Sequence, residues 1–318
     1  MLRAVAIGLA VAGPAAARTI EVSPGGFAAG VGAARDGDTV RLAPGEYYEC
    51  AVVRRRDLVI EGPGAVLTDT TCGGKAMLVV QADGLTVRDL VLTRARVPDG
   101  NGAGIRLEAQ GLALERVQFI NNQVGVLAGL GGPGQIRIVD CVFRGGGVAG
   151  GRPTAAVRVD GAALLRIERS VFEGVQGGQV SSSAMRTELV GNTIGTGVKP
   201  GAAAAVLVGG GTLLMENNVL QVGPNPPPRG AAVVAMGDAA TLRGNRLENG
   251  VGAPQTLLLD WMHADAVLSG NVVATGDSAV SSEGVWRHRV GGAARDAYGR
   301  ARGMAGLVKR SVLKVLGR

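Results

Sequence analysis

TVRDLVL (Thr86 to Leu92), ALERVQF (Ala113 to Phe119), RIVDCVF (Arg137 to Phe143) and RIERSVF (Arg166 to Phe172) are four copies of one seven-residue phrase. ELVGNTI (Glu188 to Ile194), LMENNVL (Leu214 to Leu220), TLRGNRL (Thr241 to Leu247) and VLSGNVV (Val267 to Val273) continue it. Successive copies start 27, 24, 29, 22, 26, 27 and 26 residues apart. A period of that size is the signature of a solenoid, in which each coil buries its apolar side only against its neighbours.

Read by column, the phrase is a short strand, a bend and a second strand. Its second position is always apolar (Val87, Leu114, Ile138, Ile167, Leu189, Met215, Leu242, Leu268), and so is its seventh (Leu92, Phe119, Phe143, Phe172, Ile194, Leu220, Leu247, Val273). Alternate strand residues point to opposite faces, so both columns line the inside of a stack. Three of the four Phe fall in the seventh column on consecutive coils, which predicts a stack of rings. Positions four and five of the last four copies read Gly191-Asn192, Asn217-Asn218, Gly244-Asn245 and Gly270-Asn271. Gly and Asn accept the left-handed backbone of a sharp bend, and Asn side chains at one level can bond as a ladder. Earlier copies carry Leu90, Val117, Cys141 and Ser170 at position five, so the ladder is expected only C-terminally.

A second strand set follows each phrase: GIRLE (Gly104 to Glu108), VGVL (Val124 to Leu127), AVRVD (Ala156 to Asp160), AVLVGG (Ala205 to Gly210), AVVAM (Ala232 to Met236) and LLLD (Leu257 to Asp260). Two or three short strands per coil, joined by Gly/Pro-rich turns, describe an all-β, parallel β-helix. Eight rungs make a rod of roughly 40 Å before earlier coils are added. The 53 Gly and 3% aromatic content suit tight turns around a narrow aliphatic core, while 46% hydrophobic residues without a triplet period exclude collagen or disorder. No 3.6-residue stripe survives in the repeats, which excludes an α-solenoid.

The first residues have Arg3, an apolar run from Ala4 to Ala12, Gly13-Pro14, and small residues at Ala15 and Ala17. This reads as a secretory signal over residues 1–17, placing the mature chain in the periplasm or outside the cell; a short membrane anchor is the alternative. Residues 18–286 form the β-helix. Thr19 to Glu49 is its entry module, with a capping helix expected from Phe27 to Ala34. Residues 287–318 form a basic tail. From Val285 onward there are nine Arg/Lys and one acid, against 24 basic and 25 acidic residues in the remainder, so the rod is nearly neutral. In the tail Met304, Leu307, Val308, Val312, Val315 and Leu316 share a helical face opposite Arg302, Lys309, Arg310 and Lys314. Such a helix either caps the last coil or lies on an anionic membrane or acidic glycan.

Cys50 and Cys72 are 22 residues apart, about one coil, so adjacent rungs could join them in a disulfide. Cys141 reads as a small buried residue. Only His263 and His288 exist, and neither CxxC nor HExxH occurs. No metal or cofactor is expected. Nucleic acid is a poor partner for an exported rod lacking aromatic platforms.

CGGKAMLVV (Cys72 to Val80), PDGNGAGIRLEAQGLALERVQFINNQVGVLAG (Pro98 to Gly129) and the Gly-Asn repeats resemble the right-handed parallel β-helix proteins of the pectin-lyase-like superfamily. The resemblance spans most of residues 19–285. It implies a single-stranded right-handed helix, and an exported protein of a group containing polysaccharide lyases, hydrolases and epimerases as well as binding and structural members. Such relatives usually carry a His-Asn-x-Tyr-type segment and, one coil on, a Gly-His-x-x-Lys-Ser-Arg-Ala-type segment. Here those regions read TAAVRV (Thr154 to Val159) and GGQVSSSAM (Gly177 to Met185). Gln179, Ser181 and Ser183 replace the His, Lys and Arg, so lost or altered chemistry is expected there.

Uronate β-elimination needs a base for the C5 proton and a cation for the carboxylate. Arg106, Glu108, Arg158 and Asp160 alternate outward on the second strand set, with Asp99 and Asn101 in the preceding turn. Together they are candidate glycan-binding residues, an Arg pairing a glycan acid; the same pattern also describes a solvent-facing salt-bridge ladder. Glu108 and Asp160 could serve as two hydrolytic carboxylates. Neither Lys75, Lys199, Lys309 nor Lys314 is expected in this set. Asp260, Trp261 and His263 form a further aromatic-plus-titratable group. The leading expectation is a non-catalytic or degenerate polysaccharide-engaging protein of the cell envelope. The alternatives are a lyase or hydrolase of an acidic glycan, and an envelope scaffold touching the membrane through its tail.

Overall fold

The computed structural model of the chain describes residues 16–129, 134–149, 152–195, 204–223, 225–227, 230–261 and 266–282. Residues 1–15 of the expected signal, the expected tail 287–318, His263 and His288 lie outside the described residues.

Each full coil carries three short strands, and those strands pair in parallel with their counterparts one coil away. The first face holds the strands before the bend of each phrase, such as Leu112–Glu115, Gln135–Val139 and Leu164–Glu168. The second holds those after it, such as Gln118–Ile120, Val142–Arg144 and Val171–Glu173. These two faces form one 18-stranded sheet, because Val59–Thr68 and Leu85–Thr93 run unbroken around the corner. The third face is a separate 10-stranded sheet from Ala51–Val53 to Ser278–Ser282. One strand of it, Gly178–Ser182, escaped the sequence reading because its Gln and Ser hide the aliphatic pattern. Its pairing to Ala155–Val159 and Val206–Val208 fixes it as a rung.

The inward columns fall where the phrase puts them. Val87, Leu114, Ile138, Ile167, Leu189, Met215 and Leu242 are fully buried, and on the last coil Leu268 and Val273 are partly covered. Phe119, Phe143 and Phe172 stack with centroids 4.8 and 4.7 Å apart and planes within 4°. That separation is the spacing of hydrogen-bonded strands, so identical register on successive coils forces ring onto ring. Opposite Phe119 and Phe143 the third face carries glycine, Gly104 and Gly125, because the rings fill the space a Cβ would take. A Cβ on Gly125 would sit 2.8 Å from both the Phe143 ring and the Ala156 carbonyl oxygen.

The bend at position four is left-handed in all eight copies, from Asp89 (φ 55°) and Arg116 (φ 53°) to Gly270 (φ 62°). Glycine accepts this freely, whereas other residues pay roughly 1–2 kcal/mol. The non-glycine bends are tied together: Arg116 grips Asp89 through two hydrogen bonds of 2.6 and 2.8 Å, and Arg169 grips Asp140 at 2.8 and 3.0 Å. At position five, Asn192, Asn218, Asn245 and Asn271 form the ladder. Each amide Nδ2 donates to the next Oδ1 at 2.9–3.0 Å, and each Oδ1 also accepts the backbone N–H of the preceding rung. The ladder reaches further than the sequence suggested. Asn192 Oδ1 accepts the Ser170 N–H, and Ser170 Oγ accepts the N–H of Cys141.

The N-terminal end is covered by helix α1 (Phe27–Ala33), whose Phe27 packs edge-on against Tyr47. A helix there shields strand edges that would otherwise stay open.

Candidate functional site on the outer third face

Along the third face, the outward column reads Val52, Val79, Arg106, Leu127, Arg158, Ser181 and Leu207 on consecutive coils. Arg106 and Arg158 are therefore in register two rungs apart, roughly 10 Å. A parallel column closes the strands. Glu108, Gly129, Asp160 and Ser183 each donate their N–H to a carbonyl of the previous coil. The rung between the two Arg/acid pairs holds only Leu127 and Gly129, and nothing lies within 4 Å of where a Gly129 Cβ would be. The result is an uncharged rung, its Leu127 side chain buried, between two charged walls.

The walls are not equivalent. Arg158 Nε donates to Asp160 Oδ1 at 2.9 Å. Arg106 Nε stands 3.4 Å from Glu108 Oε1, while Lys75 Nζ approaches the same oxygen to 2.5 Å and Gln81 Nε2 donates to Oε2 at 3.1 Å. The Lys75 ammonium, helped by Gln81, holds the Glu108 carboxyl below the usual carboxylate range. Lys75 thus belongs to the site, contrary to the sequence expectation. It arrives because the turn Cys72–Lys75 folds over the sheet and is joined to Cys50 by a disulfide, Cα–Cα 5.5 Å. Beneath that turn Ala76, Val79, Ala103, Val124 and Leu127 form an apolar cluster outside the main core, with Val52 and Cys72 packed on it.

Asp99 and Asn101 behave differently. The Asn101 N–H donates to Asp99 Oδ1 at 3.0 Å, which closes their turn, and neither residue bonds to the four strand residues. The turn is braced instead by Gln123, whose Oε1 accepts the N–H of Val97 and of Gly102. Ser181 and Ser183, at the positions where the resemblance would put cations, face outward next to Arg158 and Asp160. Gln179 and Ser182 point inward and are buried.

A charged column on the first face went unread in the sequence. Arg41 lies between Glu21 (3.0 Å) and Glu61 (2.6 Å), and Arg88 also pairs with Glu61 (2.7 Å). Charges alternating every coil length would have revealed it. Among the described residues no group of three or more His, Cys, Asp or Glu could hold a metal ion.

No family model matches the sequence, and no curated protein matches it. Solved structures do share its fold. One is an arginine-to-alanine mutant of the PL6 family alginate lyase AlyGC (TM-score 0.51, 19% identity, covering 87% of this chain and 39% of that one). Another is the alginate lyase from Paenibacillus sp. str. FPU-7 (TM-score 0.52, 15% identity, covering 83% of this chain and 98% of that one). The chain thus spans about two fifths of the length of AlyGC. Parallel coils, three faces and these likenesses together make the fold of the chain a right-handed parallel β-helix.

Proposed function

We propose that the protein is an exported β-helix that binds an acidic polysaccharide along its outer third face and leaves it uncleaved. The observation that carries this reading is the registered pair Arg106 and Arg158 flanking the uncharged Leu127–Gly129 rung. Two guanidinium groups roughly 10 Å apart on a straight sheet suit carboxylates repeated along an extended chain, and Arg pairs with carboxylate bidentately. Turnover is disfavoured because Glu108, held below the usual carboxylate range by Lys75, is a weak base for a C5 proton. Ser181 and Ser183, beside Arg158 and Asp160, stand where the resemblance would place cations. Two neighbours in fold are described as alginate lyases, which makes a uronan the natural first ligand.

The test is binding of alginate and polygalacturonate oligomers by calorimetry, with absorbance of unsaturated product followed in parallel. The reading expects binding without product, and a loss of tenfold or more in Arg158→Ala, the cost of one charge-assisted pair at about 1.5–3 kcal/mol. Unsaturated product would move the protein to the lyases, and binding unaffected by both Arg106→Ala and Arg158→Ala would remove this face from the function. Membrane contact through the tail is the second part of the proposal, motivated by its basic amphipathic pattern. Deleting residues 293–318 should release the protein from membranes, and unchanged fractionation refutes that part.

A further inference from the structure

We infer that Lys75 is a positioning residue that keeps Arg106 available to an anionic ligand by holding Glu108 away from it. The inference rests on the reading that this face binds acidic glycan. The chain contains its own comparison. Where an Arg/acid pair has no third partner among the described residues, at Arg158 and Asp160, the guanidinium closes on the carboxylate to 2.9 Å. Two rungs away the same i, i+2 pair is looser, at 3.4 Å, and both Glu108 oxygens have nearer donors, Lys75 at 2.5 Å and Gln81 at 3.1 Å. The charged groups facing Glu108 are Lys75 and Arg106, so removing one hands the carboxylate to the other.

The device that delivers Lys75 is built for the purpose. Gly73 and Gly74 take left-handed backbone (φ 58° and 63°), which lets the chain reverse between Cys72 and Ala76. The Cys72 N–H donates to the Ala76 carbonyl at 2.8 Å, and the Lys75 N–H to the Cys72 carbonyl at 3.0 Å. The disulfide to Cys50 then staples this turn over Val79 and Leu127. The cost of ordering a long Lys side chain at a half-exposed site is thereby reduced before any ligand arrives.

The test is a set of four variants read by affinity for alginate oligomers and by carbon-detected NMR titration of Glu108. Lys75→Ala should weaken binding roughly three- to tenfold, the scale of one partly exposed ion pair. Lys75→Arg should retain affinity. In Lys75→Ala the Glu108 titration should move up towards its ordinary range, and lowering the pH through that range should recover affinity by neutralising Glu108. Adding Glu108→Gln to Lys75→Ala should restore the affinity of Glu108→Gln alone. A loss that persists in the double variant would mean that Lys75 touches the glycan directly or only supports the fold, and would overturn the inference, as would full affinity in Lys75→Ala. If the wild type binds no uronan, the glycan reading fails; the Glu108 titration still decides whether Lys75 controls that carboxylate, and an unmoved titration refutes it.

Discussion

Replacing Asn218 by alanine removes the middle of the asparagine ladder while leaving the apolar columns intact. Asn218 Oδ1 accepts both the backbone N–H and the side-chain Nδ2 of Asn192 at 2.9 Å, and its own Nδ2 donates to the Leu189 carbonyl at 2.8 Å and to Asn245 Oδ1 at 2.9 Å. Two groups keep a partner after truncation: Asn192 Nδ2 still reaches the Ile167 carbonyl, and Asn245 Oδ1 still accepts the backbone N–H of residue 218. The Asn192 N–H loses its ladder acceptor inside the rod. An orphaned buried donor costs about 1–3 kcal/mol and each lost hydrogen bond about 1 kcal/mol, so Asn218→Ala should cost about 2–4 kcal/mol. Asn218→Ser is the built-in control, because Ser170 already occupies this column and its Oγ accepts the preceding N–H at 3.1 Å. The serine variant should lose about half as much. Urea unfolding gives the global figure, but solenoids can unfold piecewise, so native-state exchange of the Asn192 amide is the sharper assay. Equal losses for Ser and Ala, or an Asn192 amide as protected in Asn218→Ala as in the wild type, would refute the reasoning.

Phe143→Ala should cost about 3–5 kcal/mol, because it empties the middle of a three-ring stack; a loss under about 1 kcal/mol in urea unfolding would show that the stack does not support the rod. Gly125→Ala should destabilise by more than about 1 kcal/mol despite adding one carbon, since its Cβ meets both a ring and a backbone oxygen at 2.8 Å, and an unchanged midpoint would contradict that crowding. Arg94 grips Asp69 at 2.8 and 2.6 Å, and with help from Thr68 brings its pKa down to about 2 from 3.8. A depressed carboxyl contributes stability that is complete above the ordinary value and lost as pH falls through the folded one. Amide protection around residues 69 and 94, taken relative to the intrinsic exchange rate at each pH, should therefore fall between about pH 4 and 2, and Asp69→Asn should flatten that limb; an identical acid limb in the variant would exclude this pair as its cause.

The rod was legible because its information is local and repeated. Positions two and seven alternate into the core on every coil, and a reader needs only the period to place Phe119, Phe143 and Phe172 together. The Gly-Asn bends were legible because those residues favour left-handed backbone. Arg116 and Arg169 take the same backbone with no such preference, held by Asp89 and Asp140 one coil away, so single-residue propensity could not mark them. The candidate site was half legible. Arg106 and Arg158 followed from strand alternation, whereas Lys75 reaches Glu108 across 33 residues through a disulfide-stapled turn. Asp99 and Asn101 were placed in the site by proximity in sequence, but their hydrogen bonding closes their own turn instead.

The most direct test of the account is NMR mapping of the Arg side-chain Nε–H signals during titration with alginate oligomers of defined length. The account predicts that Arg106 and Arg158 shift together, saturate at one concentration, and do so with the oligomer intact at the end. Shifts confined to other arginines, or shifts at only one of the two, would contradict a glycan path along the third face.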